Sequence, residues 1–305
     1  MVQVPAVFQS ISPYQRVTFQ SNRARGASSV ITSLPVKSTV TDVDFVYIVL
    51  RRLLRSNLGT LSPNTRCPVG FCRSTIDADH LESCTGSRIK SNRSDVFKAV
   101  VVEMLVDAGV SFDQCDCKHN LLLTNRLEIA GAVNTSGERV TTAQGASRVV
   151  DGADMLVRGL FIPGEETVID FTVFSERAEK RVDASMVDPS HVFVNPSFSL
   201  ADVEENKVVQ YKRMYSAINV KVLGLAMNLA GGVGPTLLRV IRRCSQIAGG
   251  RVPVWANWTA ATFVGAWVQR MVSAVQVKNA QCVIAARSRV GAVLAASLDV
   301  IPRYV

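Results

Sequence analysis

The feature that most limits the fold is a pair of apolar runs, "RVVDGADMLVRG" and "ETVIDFTVFS", joined through "LFIPGE". Val168, Ile169, Phe171, Val173 and Phe174 read as a buried strand, and Pro163-Gly164 as the turn of a hairpin-like connection. A strand buried on both faces needs helices packed over its sheet, and the flanks supply candidates. "SDVFKAVVVEMLVDAG" predicts a helix with Ser94 as N-cap, a stripe of Phe97, Val101, Met104, Leu105 and Ala108, and Gly109 as its stop. "HNLLLTN" reads as a further strand. "SLADVEENKVVQYKRMYSAI" reads as a helix opened by Ser199 and Asp202 in a capping-box-like pair, and "NVKVLGLAMN" as a strand. Pro235 leads into the helix "TLLRVIRRCSQIAGG". The order α, β, β, β, α, β predicts an α/β core of helices against a small mixed sheet. Outside it, "DFVYIVLRRLLRSNLG" predicts a helix ending at Gly59. Residues 260 to about 297 read as mainly helical, with Phe263, Trp267, Met271 and Val275 on one face.

One residue breaks the apolar pattern of the second run. Asp170 lies mid-strand, where a carboxylate is unfavourable without a partner. Asp154 precedes it by sixteen residues around the turn, so the hairpin brings the two close together, with Asp151 just upstream. Paired carboxylates on adjacent strands suit Mg²⁺ or Mn²⁺, which take oxygen ligands and retain water. Such an ion polarises a phosphodiester and activates water. On the next helix Val203, Lys207, Tyr211 and Tyr215 recur at i, i+4 and share a mostly apolar face. A lysine there needs an anionic partner or a function. Near a metal it can neutralise a pentacovalent phosphate, with Tyr211 supporting it. The alternative reading makes Asp154 a strand-end cap, pairs Asp170 with Arg158 or Arg177, and lays Lys207 along the apolar surface. Lys212, one position round, reads as solvated.

Charge points the same way. The net charge of +9 is uneven: residues 1–41 have four basic and no acidic residues, 42–228 balance to −3, and 229–305 carry nine basic residues against one acidic. Basic ends around a near-neutral middle suit a polyanion, nucleic acid first, or else a solvated basic surface. Seven cysteines, an odd number, and no apolar signal core at the start argue against a secreted disulfide framework. The acid-free start reads as a loose tail or, less well, as a transit peptide. The apolar run at 252–269 contains Pro253, Asn257 and Gln269 and reads as a buried helix, not a membrane span.

The order of acid on one strand, "IDFTV" on the next, then lysine and tyrosine on a helix resembles the PD-(D/E)XK nucleases. More closely, it is similar to the restriction-like endonuclease domain at the C-terminus of site-specific non-LTR retrotransposon reverse transcriptases. The resemblance covers roughly residues 60 to 290. "GADML" with Asp154 matches the first acid, although Ala153 replaces the proline, and Asp170 matches the second. Thr172 stands where the simple motif has lysine, and "NKVVQY" supplies Lys207 and Tyr211 from the helix instead. Glu103 matches the first-helix acid of many such nucleases, and Arg93 in "SNRSD" sits at the family's basic motif.

The family carries a Cys-Cys-His-Cys zinc knuckle before the nuclease core. Here "CPVGFCRSTIDADHLESC" offers Cys67, Cys72, His80 and Cys84 at slightly unusual spacing. Zinc takes four such ligands; free buried thiols are the other reading. Cys115 and Cys117 are alternative ligands, and Cys244 and Cys282 read as core. Arg88, Lys90 and Arg93 after the knuckle either contact phosphates or form a solvated basic loop. Trp255, Trp258 and Trp267 read as core or interface, and His119 and His191 have no evident partners.

The resulting expectation is a restriction-endonuclease-like αβββαβ core at 94–228. It follows a basic tail at 1–40 and a helix plus zinc knuckle at 41–93, and precedes a basic helical extension at 229–305. The resemblance implies a DNA endonuclease using Mg²⁺ or Mn²⁺, with structural Zn²⁺. DNA is the expected partner, with a retroelement polymerase or RNA beside it and no membrane, in the nucleus or another intracellular compartment. The chain is too short for a polymerase and lacks Tyr-x-Asp-Asp, so it looks like a detached element C-terminus. An inactive nucleic-acid-binding remnant and a structural or interaction protein are the competing readings.

Overall fold

The computed structural model describes residues 42–52, 67, 72, 80, 82, 84, 89–113, 117, 120–141, 152–175, 198–249 and 260–298. Expectations that fall on Gly59, Arg88, Cys115, His119, Asp151, Arg177, His191, Trp255 and Trp258 lie outside those residues, as do the basic tail and the loop after Ser175. The protein is mixed α/β. Its four-stranded sheet has the order β1 (Ser111–Asp113), β2 (Met155–Arg158), β3 (Glu166–Phe174), β4 (Lys221–Asn228). The first two pairings are antiparallel and β3–β4 is parallel.

Helices cover both faces. α1 (Asp42–Arg52), α2 (Ile89–Ala108) and α3 (Leu121–Ile129) come from the first half of the chain. α4 (Phe198–Ser216), α5 (Pro235–Gly249) and α6 (Ala260–Leu298) come from the second. The pleat sorts the side chains. Ile169, Phe171, Val173, Leu223, Leu225 and Met227 face α2, α5 and α6 in the larger core, where Phe97 meets Phe171 edge-on at 5.4 Å. Leu156, Val168 and Val222 face the other way, against Tyr211, Met214 and Tyr215 of α4. Each face buries apolar surface at roughly 25 cal/mol per Å², which is why β3 reads as apolar almost throughout.

The hairpin forms at the expected place. Gly159 N–H donates to Glu165 O, and Gly164 takes φ +79°, a conformation glycine adopts without a Cβ penalty. α5 starts at Pro235 as its fixed φ predicts. Phe97, Val101, Met104, Leu105 and Ala108 are all buried, as are Phe263, Trp267, Met271 and Val275.

Three local expectations are corrected. "HNLLLTN" is not a strand: Asn120 Oδ1 accepts the Leu123 N–H as an N-cap, and α3 follows. A capped run with Leu123 and Leu127 buried together satisfies its backbone internally. The first strand is instead the three-residue Ser111–Asp113, too short to show alternation. Ser94 lies inside α2, which starts at Ile89, so it is no N-cap. Ser199 likewise falls inside α4, which begins at Phe198. Among the described residues no helix is long and apolar enough to cross a membrane.

Candidate metal centre and acid–lysine site

The cysteine-rich segment folds to one point. Cys67, Cys72, His80 and Cys84 place a ligand atom each within 4.8 Å of one another, and these four can hold a metal such as zinc. Cys67 Sγ lies 3.7 Å from Cys84 Sγ, and Cys72 Sγ lies 3.5 Å from His80 Nε2. Zn–S bonds of about 2.3 Å and Zn–N bonds of about 2.0 Å at the tetrahedral angle separate ligand atoms by about 3.5–3.8 Å. These two separations therefore fit zinc, and the 3.7 Å between sulfurs is far too long for a disulfide. His80 and Cys84 reach the point from one helical turn, closed by Cys84 N–H donating to His80 O at 2.7 Å. Cys117 and Cys244 are buried elsewhere, and burial pushes the Cys244 thiol up to about 12, which makes it inert.

Glu82, between the last two ligands, ties the cluster to the rest of the fold. Its carboxylate is buried and accepts from Tyr47 Oη at 2.6 Å, Ser175 Oγ at 3.1 Å and Asn279 Nδ2 at 3.5 Å. The Asn279 amide in turn accepts from Arg93 Nη1 at 2.9 Å. Arg93 is completely buried, so here it is a core residue bridging α2 to α6 rather than a phosphate contact. The side chain of Lys90 lies outside the described residues.

The second site lies at the start of β2. Beyond Met155 the regular ladder gives way: Asp154 N–H donates to Ile169 O, while Asp154 Oδ2 accepts the Phe171 N–H at 2.9 Å. The carboxylate thus takes a backbone acceptor's place and sits against the segment that carries Asp170. Ala153 N–H, just before it, donates to Tyr215 Oη at 3.0 Å, which fixes the approach. Burial pushes the Tyr215 hydroxyl far above its ordinary value, so it stays protonated.

Asp170 is nearly buried, and its Oδ2 lies 2.9 Å from Lys207 Nζ in an ionic contact rather than a directed hydrogen bond. Lys207 Nζ also lies 5.9 Å from the Tyr211 ring centroid, within cation–π range. Of the two partners weighed for Asp170 as an alternative, Arg158 pairs with Asp113 and Glu166. Asp154 has its own lysine, Lys98 of α2, at 3.8 Å. Asp154 thus lies against the strand segment that carries Asp170 and has Lys98 as its cation, while Asp170 has Lys207, with Tyr211 beside it. Glu103 is turned towards α6, where it pairs with Arg270.

Residues that sequence reasoning passed over hold this geometry. A Cβ on Gly224, the register partner of Asp170 in β4, would meet Glu204 O at 2.4 Å and Lys207 Cβ at 2.8 Å. Only glycine lets α4 approach closely enough for this placement of Lys207. A glycine inside an apolar strand is the signal that marks such an approach. Glu204, one turn before Lys207, is buried and accepts the N–H groups of Ala226, Thr236 and Leu237. It caps the start of α5. Burial raises its carboxyl above the ordinary value, and those N–H bonds pull it partly back.

No family model matches the chain, and no curated protein or solved structure matches it either.

Proposed function

We propose that the chain is a metal-dependent DNA endonuclease domain with a restriction-endonuclease-like core, of retroelement origin. The observation that carries the reading is the nearly buried Asp170–Lys207 pair of β3 and α4, with the Asp154 carboxylate held by the N–H of Phe171, the residue after Asp170. Support comes also from the strand arrangement, antiparallel, antiparallel, then parallel through a crossover helix. The zinc-compatible cluster ahead of that core is the third support.

The residue types suit Mg²⁺ or Mn²⁺: two hard carboxylates, one of them part-exposed and oriented by a backbone N–H. When bound, the ion supplies Lewis-acid polarisation of the phosphodiester and a more acidic water. Asp154 and Asp170 would hold it. Lys207 carries the positive charge that balances the phosphate as a fifth oxygen approaches, and Tyr211 limits where the ammonium can swing. Positioning falls to Tyr215 for Asp154 and to Gly224 for Lys207.

One observation favours a second reading, a nucleic-acid-binding remnant that no longer cuts. Each acid already has a lysine, Lys98 on Asp154 and Lys207 on Asp170, so the charges balance without an ion. Cleavage of supercoiled plasmid with Mn²⁺ separates the two. Wild type is expected to nick or linearise it, and Asp170→Ala and Lys207→Ala to lose at least about 100-fold in rate. Equal cutting by all three removes this site from the chemistry. No cutting by wild type, with DNA binding intact, selects the remnant.

A further inference from the structure

We propose that a groove between the β2–β3 turn and α4 binds the sugar–phosphate backbone of DNA to one side of the acid–lysine site. The inference rests on the endonuclease reading for the identity of its ligand and names where that ligand runs. The groove has a volume of about 810 Å³ and is lined by Arg126, Arg158, Lys212 and Lys221 with Glu165 and Glu166. That is far too large for one ion, since a water takes about 30 Å³ of liquid. The cations come from α3, β2, α4 and β4 in turn, so they converge only through folding. Four positive charges line the groove with two negative ones, and Asp113, which pairs with Arg158 from outside the lining, brings the excess to one.

The carboxylates here act as holders. Glu166 takes both Arg126 and Arg158, and Glu165 lies 3.9 Å from Lys221. These pairs are substantially exposed on the cationic side, where exposed ion pairs are weak and exchange readily for another anion. Lys212 is exposed and makes no ion pair among the described residues. It lines the groove with Val208 and Ser216 at i−4 and i+4 along one edge of α4, and Val208 adjoins Lys207. Lys212 is therefore about 7.5 Å further along the helix axis than Lys207. With a rise of about 3.4 Å per nucleotide, this corresponds to roughly two phosphates. Five residues also turn the helix by about 140°, so the groove lies round the flank of α4 from Lys207, and a strand held in it runs beside the acid–lysine site.

The test uses the full chain and a short fluorescein-labelled duplex, with anisotropy read across a salt series. Lys212→Glu is expected to weaken binding about five-fold or more at low salt and to flatten the salt dependence by about one phosphate contact. Arg242→Glu, an equal charge change at an exposed position on α5 across the sheet, is expected to do much less. Thermal melting of each variant checks that it is folded. Equal effects of the two changes in folded protein overturn the groove, even if plasmid is cut. A Lys212-specific loss upholds it, even if no plasmid is cut. A Lys212-dependent preference for RNA of the same length overturns the assignment to DNA.

Discussion

The two centres solve the burial of reactive side chains in opposite ways. The cysteine–histidine cluster is closed in the sense that its four ligand atoms lie within 4.8 Å of one another, a set that could hold a metal such as zinc. The acid–lysine site is open at one edge, with each carboxylate answered by a lysine rather than by a common ligand. Each centre is nevertheless backed by a buried glutamate. Glu82 accepts from three side chains on elements far apart in sequence, while Glu204 accepts from three backbone N–H groups at a strand and a helix start. The first glutamate ties a small metal cluster to the core, and the second ties the lysine-bearing helix to β4 and α5. A closed ligand set is therefore expected to contribute to folding, and an open charged pair to chemistry at some cost in stability.

The sharpest way to break that contrast is to open the closed site. Purified protein is expected to carry one zinc per chain by elemental analysis. Cys67→Ser, or chelation, is expected to lose the metal and several kcal/mol of stability, since structural zinc sites contribute folding free energy directly. Through Glu82 the loss should reach α6, so amide exchange around Asn279 should rise with that of the cluster. Full metal loss with an unchanged melting temperature would show that the cluster is not structural.

The open site makes a smaller prediction with a distinctive sign. Lys207→Met leaves Asp170 buried without its cation and is expected to destabilise by about 2–3 kcal/mol. This is below the range for a fully buried pair, because Lys207 is part-exposed. Asp170→Asn added to Lys207→Met should then restore most of the loss, although cleavage stays absent. Urea unfolding of both variants reads this directly. If the double variant is no more stable than the single, the pair does not carry the charge balance described here.

Much of this was legible in the sequence, and the misses have physical causes. β3, β4 and the hairpin showed because burial on both faces leaves an apolar run that Pro163-Gly164 interrupts at one place. The candidate acids showed because charge in such a run is anomalous. β1 did not show, since three residues cannot display a period, and α3 was mistaken for a strand because "LLL" fits both templates until Asn120 is seen to cap it. Lys98 was hidden because its contact with Asp154 crosses layers, and Arg93 looked like a surface cation because nothing local announces Asn279. Glu204 was hidden for the same reason: its partners lie at the end of β4 and the start of α5.

Glu204 supplies the smallest effect and the one whose sign best tests the contrast between the supports. Its folded-state carboxyl is raised above the ordinary 4.5 by burial, outweighing the three N–H bonds. The native state therefore holds a proton that the unfolded chain has released over the window just above 4.5, and stability must fall as pH rises through it. Its contribution is full below 4.5 and lost once pH passes the raised value. Glu204→Gln cannot ionise, so although it loses one carboxylate oxygen and is less stable overall, its melting temperature should fall less steeply across that window than the wild type's. The comparison is between slopes, which cancels every other titrating group the two proteins share. A wild-type slope no steeper than the variant's would mean that the N–H groups at the start of α5 hold the charged form at no net cost, with the helix dipole outweighing burial.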